Sequence, residues 1–113
     1  MFGTPRTPDV PEYSVGEVAT ALAKDAQAYA LIDVREPEEW NAGHIAGATL
    51  IPLGQLGARA QEIPTDRPVV LVCRSGRRSA FATDALRRAG YDQTFNMTGG
   101  MLAWEAAGLP VSR

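Results

Sequence analysis

The sequence predicts an α/β fold built on a parallel sheet with helices on both faces. Three observations carry this. Short apolar runs of strand length (29–34, 48–51, 68–72 and 94–97) alternate with helical stretches, the pattern of βα units. At 113 residues, 45% hydrophobic and 21% charged, the chain has the size and composition of one ordinary globular domain. A glycine- and arginine-containing loop joins the run 68–72 to the next helical stretch, and open α/β sheets bind ligands at the carboxyl ends of their strands.

The elements follow in order. Pro5, Pro8 and Pro11 make residues 1–11 an extended N-terminal arm, leaving residues 12–113 as the domain. Ser14 with Glu17 three residues on is a capping box, and Val15, Val18, Ala19 and Leu22 continue it as a helical apolar stripe to about Lys24. Tyr29 to Val34 is a strand whose one charged member is Asp33. Pro37 suits the first turn of a short helix through Trp40, and Gly43 its stop. Ala48 to Ile51 is a strand ended by Pro52, and Gly54 to Ile63 is weakly helical, interrupted by Gly57. The strand 69–72 and a helix over 80–89 follow, closed by Gly90. Thr94 to Met97 is a further strand. Gly99-Gly100 then leads into a helix over 101–107, closed by Gly108 and Pro110.

Cys73, the only cysteine, stands at the carboxyl end of the strand 69–72, in the run Cys73-Arg74-Ser75-Gly76-Arg77-Arg78-Ser79. The free N–H groups of a helix start, its dipole and nearby guanidinium charges each favour an ionised sulfur there, and the thiolate is the nucleophilic form. Arg74, Arg77 and Arg78 would attract and hold an anionic substrate. Loop N–H groups curled into a nest would stabilise negative charge on the sulfur. Gly76 gives the loop a positive φ or a close backbone approach. Ser79 is placed either to cap the helix 80–89, the reading the residue type favours, or to donate to the Cys73 sulfur. Asp33 ends a strand on the presumed active edge, with Arg35 close by as a supporting residue: it either orders the loop or simply caps or pairs with Arg35. His44, the single histidine, reads as a packed structural residue rather than a base. Trp40 and Trp104 read as core aromatics, and Gly99-Gly100 as a tight turn.

Composition excludes several classes. A net charge of −2 provides no global field for nucleic acid. One cysteine allows no internal disulfide and no CxxC pair, and with one histidine it builds no Cys/His zinc site. No run approaches a membrane span and the start lacks the apolar stretch of a signal peptide, so the expectation is a cytoplasmic protein, a monomer or weak homodimer. A P-loop fails on spacing.

Four ordered blocks together resemble the single-domain rhodanese (thiosulfate sulfurtransferase) family. They are Asp33-Val34-Arg35-Glu36 through Trp40; Gly43-His44-Ile45-Ala46-Gly47-Ala48 with Ile51-Pro52; Val72 through Ser79; and Gly99-Gly100-Met101-Leu102-Ala103-Trp104 with Gly108-Leu109-Pro110-Val111. The resemblance covers roughly residues 12–112. It implies a three-layer fold with a five-stranded parallel sheet, and sulfane-sulfur transfer through a persulfide on Cys73, with no metal or organic cofactor. In that reading Arg74, Ser75, Gly76, Arg77, Arg78 and Ser79 hold a small anionic sulfur donor, and the Gly99-Gly100 segment lies near the active loop. The acceptor is cyanide, a thiol or a protein. The arginine-rich loop favours thiosulfate over 3-mercaptopyruvate, whose enzymes of this family tend to have a Gly/Val/Thr-type loop. Two rivals stand beside it. A cysteine phosphatase or arsenate reductase of related fold would need Cys-x5-Arg, and position 79 is Ser79; arsenate reduction usually needs a second cysteine as well. A non-catalytic partner-binding or sulfur-relay module is the other, although such modules commonly lack the cysteine.

Overall fold

Val69–Val72 forms a strand whose four side chains are all buried, because the sheet is covered on both faces. Val69 and Leu71 enter one core and Val70 and Val72 the other, as the two-residue period of a strand requires. The computed structural model describes residue 3 and residues 5–113, so Met1, Phe2 and Thr4 of the predicted arm lie outside the described residues. The strands are β1 (Glu12–Tyr13), β2 (Ala30–Asp33), β3 (Thr49–Leu50), β4 (Val69–Val72) and β5 (Thr94–Met97). The helices are α1 (Val15–Lys24), α2 (Pro37–Ala42), α3 (Arg77–Arg88) and α4 (Gly100–Ala106). All five strands are parallel in the order β1-β5-β4-β2-β3. The predicted α/β class and five-stranded sheet are therefore present.

The first core lies under α3, where Ala82 and Leu86 meet Ala30, Ile32, Val69, Leu71 and Cys73. The second lies under α1 and α4, where Val18, Met101 and Trp104 meet Leu31, Val70 and Val72. The capping box of α1 is made as predicted: Glu17 N–H donates to Ser14 Oγ at 3.1 Å and Ser14 N–H to Glu17 Oε1 at 2.8 Å. Pro37 opens α2, and Gly43 ends it with φ 150°.

Four expectations change. The stretch Gly54 to Ile63 is two 3₁₀ turns, Leu53–Gln55 and Ala60–Glu62. The strand expected over 48–51 pairs only at Thr49–Leu50. β1 was not expected; its two residues pair only with β5 and carry no apolar run of their own. Most consequentially, α3 begins at Arg77, three residues before the expected start, so Arg77, Arg78 and Ser79 are its first helical turn. Residues 5–11 carry neither helix nor strand. No helix among the described residues is long and apolar enough to cross a membrane.

Candidate active site

Cys73 follows β4 directly, at the carboxyl edge of the sheet, and only Arg74, Ser75 and Gly76 separate it from α3. Gly76 is the N-cap of α3 in the left-handed region, φ 92°, and brings no capping side chain. The sulfur takes that place. Cys73 Sγ accepts from Gly76 N–H at 3.1 Å and from Ser79 N–H at 3.4 Å, which are donors that a helix start otherwise leaves without partners. Ser79 Oγ lies 3.2 Å from the same sulfur. Ser79 is therefore not the cap of α3: it is the third helical residue, and its hydroxyl faces Cys73.

The loop is held from behind. The carbonyls of Cys73 and Arg74 point away from it and accept the N–H groups of Met101 (2.9 Å) and Leu102 (3.0 Å) in the first turn of α4. Gly100, at φ 56°, makes this approach possible: a side-chain carbon there would collide with Cys73 O and lie 2.6 Å from Arg74 O. Gly76 is confined in the same way, since a Cβ would meet Gly99 N at 2.9 Å. The Gly99-Gly100 turn thus also supports the loop. Cys73 has no exposed surface, whereas Arg74 and Ser75 at the loop tip are exposed.

The three arginines have different surroundings. Arg78 bridges to Glu39 of α2 with both nitrogens at 2.8 Å. This pair holds the Glu39 carboxyl down to about 2, against an ordinary value of 4.5. The same bond raises the Arg78 guanidinium, which the charges of Cys73 and Asp33 also favour. Arg77 donates to Thr7 Oγ1 at 2.8 Å and to the Pro5 carbonyl, and stands over the Phe81 ring, so it ties the N-terminal segment to α3. Among the described residues, Arg74 makes no side-chain hydrogen bond or ion pair.

Asp33 lies beside Val72 in the sheet and is spent locally. It accepts Arg35 Nε at 2.9 Å and Arg35 Nη2 at 2.8 Å, and Nη2 also donates to the Gly43 carbonyl at 2.8 Å. Both residues are at least 95% buried, so each charge depends on the other. Of the two roles expected for Asp33, this geometry supplies the local pairing. His44 is packed: it stacks on Trp40 with ring centroids 3.7 Å apart, its Nδ1 is 2.9 Å from the Trp40 carbonyl, and its backbone pairs with Ser112. Trp104 is buried in the second core, and Trp40 is half-buried against His44.

One residue near the sulfur was not singled out from the sequence. Asn96 on β5, nearly buried, places its Oδ1 2.6 Å from Ser79 Oγ and donates from Nδ2 to the Gly76 carbonyl at 3.1 Å. A polar residue inside an otherwise buried strand was the available signal. Among the described residues, no group of three or more His, Cys, Asp and Glu side chains is arranged to hold a metal ion.

Comparison with known proteins matches residues 14–107 to the rhodanese-like domain model. The chain is 50% identical over 74 residues to the uncharacterized protein YqhL of Bacillus subtilis, an alignment covering 66% of this chain and 59% of that protein. It is 41% identical over 87 residues to a sulfurtransferase of Allochromatium vinosum, covering 77% of this chain and 81% of that one. Its fold superposes on the thiosulfate sulfurtransferase of Pseudomonas aeruginosa with TM-score 0.84 and 26% identity, over 97% of this chain and 21% of that chain.

Proposed function

The chain belongs to the rhodanese-like domain family, and from that premise we propose that it is a sulfurtransferase that moves sulfane sulfur from thiosulfate, or a similar small anionic donor, to a thiophilic acceptor through a persulfide on Cys73. The observation that carries this reading is the convergence of Gly76 N–H, Ser79 N–H and Ser79 Oγ on one sulfur at 3.1–3.4 Å. Three polar groups around a buried sulfur are suited to an anion at that atom, first a thiolate and then a persulfide. The three groups converge on a single atom. A transferring phosphoryl group would need space for three equatorial oxygens and an arginine over them, and position 79, where Cys-x5-Arg would place that arginine, is Ser79 with its hydroxyl turned to the sulfur.

In the first step the Cys73 thiolate attacks the outer sulfur of thiosulfate. The new Sγ–S bond forms as the donor's S–S bond breaks, and sulfite leaves with the electron pair. In the second step an acceptor nucleophile takes the outer sulfur and the thiolate returns. The donor arrives over the exposed tip, where the Arg74 guanidinium is available, and the charge of Arg78, held by Glu39, couples to the sulfur. The working unit is residues 12–113. The acceptor is a small thiophile or a protein, and relatives named as a sulfur carrier protein and an adenylyltransferase/sulfurtransferase add weight to the protein alternative.

Intact mass before and after thiosulfate, and then after cyanide, tests the proposal in wild type and Cys73→Ser. A gain of one sulfur atom in wild type alone, removed by cyanide, is expected. Equal turnover in folded Cys73→Ser would overturn it.

A further inference from the structure

The Ser79 hydroxyl has one proton and two acceptors within reach. Asn96 Oδ1 is 2.6 Å away and Cys73 Sγ 3.2 Å. One hydroxyl proton makes one such bond at a time, so donation to Asn96 withdraws it from the sulfur. Asn96 cannot turn its nitrogen to the hydroxyl without giving up its bond to the Gly76 carbonyl, which aims Oδ1 at Ser79. Ser79 is equally fixed: it is fully buried, and its carbonyl accepts Thr83 Oγ1 at 2.8 Å. β5 sets Asn96 opposite Leu71, two residues before Cys73.

We propose that Asn96 is a positioning residue that competes with the Cys73 sulfur for the Ser79 hydroxyl, and so sets how basic and how nucleophilic that sulfur is. This rests on Cys73 being the reacting atom. While the sulfur is a thiol, S–H donates to Ser79 Oγ and Ser79 donates to Asn96. When the sulfur is an anion, the hydroxyl turns to it and the Asn96 bond is broken. That loss leaves the anion less stabilised than three unopposed donors would, and a more basic thiolate is the more nucleophilic one. The charge that couples to the sulfur is Arg78 on α3, itself bridged to Glu39 of α2. Neither touches Asn96 through a hydrogen bond, so they form a constant background.

The test is the pH titration of thiolate ultraviolet absorbance, with the Cys73→Ser titration subtracted to remove the three tyrosines. Asn96→Ala commits the hydroxyl to the sulfur, and its midpoint should move down by about half to one pH unit. Ser79→Ala removes the hydroxyl and should move the midpoint up by a similar amount. In the Ser79→Ala background, Asn96→Ala should no longer lower it. A merely structural Asn96, acting through the Gly76 carbonyl, would loosen the cradle and move the midpoint up in the single variant; that result, or an unmoved midpoint in Ser79→Ala, overturns the proposal. Asn96→Leu, closer in size, replaces Asn96→Ala should the latter not fold. The titration needs no sulfur donor. Expected shifts in a protein that never gains sulfur would remove the transferase reading and leave the Asn96 competition standing.

Discussion

Gly100 rests against the backbone of Cys73 with no room for a side-chain carbon between them. That contact allows α4 to cap the Cys73 and Arg74 carbonyls from outside, and it leaves the N–H groups of the loop on the sulfur side. Cys73 and the C-terminal helix are one structural unit, although 27 positions separate Cys73 from Gly100.

Gly100→Ala should therefore damage both stability and chemistry. The substitution meets a positive φ of 56° and two backbone oxygens that are not free to move. A loss of about 2–4 kcal/mol is expected in urea unfolding. Sulfur uptake should fall in the fraction that stays folded, measured by intact mass after thiosulfate. A variant of wild-type stability and uptake would mean that the loop does not depend on this contact.

Arg74→Ala should separate donor capture from folding. Its guanidinium is at the exposed loop tip and holds nothing else among the described residues. The thiosulfate KM should rise about three- to ten-fold while stability stays within about 0.5 kcal/mol of wild type. Arg78→Ala should lose both, because it also breaks the bridge to Glu39 at a cost of about 1 kcal/mol. Steady-state kinetics and urea unfolding of the two variants side by side check this.

The Glu39–Arg78 bridge should also give the domain an acid-sensitive component. The bond to Arg78 lowers Glu39 from 4.5 to about 2. A depressed carboxyl contributes stability above its unfolded value and loses it as pH falls through the folded one. Side chains exposed by 26% and 36% keep this to about 1 kcal/mol through solvent screening. The stability gap between wild type and Glu39→Gln should hold at neutral pH, shrink below about 4.5 and vanish near 2. A gap independent of pH would refute the bridge as its source.

The buried strands and the capped helix were legible because their causes are local. β2, β4 and β5 are short buried runs, and Ser14 with Glu17 marks the start of α1 within four residues. β1 was hidden because two residues, Glu12 and Tyr13, become a strand only through β5, more than eighty positions on. The start of α3 was misplaced for a chemical reason. A search for a capping side chain stops at Ser79, yet the cap is Gly76 and the capping acceptor is the sulfur of Cys73. The place of Cys73, between the buried strand and the next helix, was legible from the order of strand, loop and helix. The partners of its neighbours were not: Arg78 meets Glu39, Arg77 meets Thr7 and Ser79 meets Asn96 across 17 to 70 positions.

The loop around Cys73 sorts its peptide groups, with oxygens outward to α4 and N–H groups inward to the sulfur. A field made of peptide dipoles in a buried site attracts no counterions and is little screened by electrolyte, whereas exposed guanidinium groups are screened within about 10 Å at 0.1 M ionic strength. The exposed guanidinium at the rim and the peptide dipoles around the sulfur therefore answer differently to ionic strength. If Cys73 carries sulfur as proposed, loading from an anionic donor should slow as salt is added, and unloading to an uncharged acceptor should not.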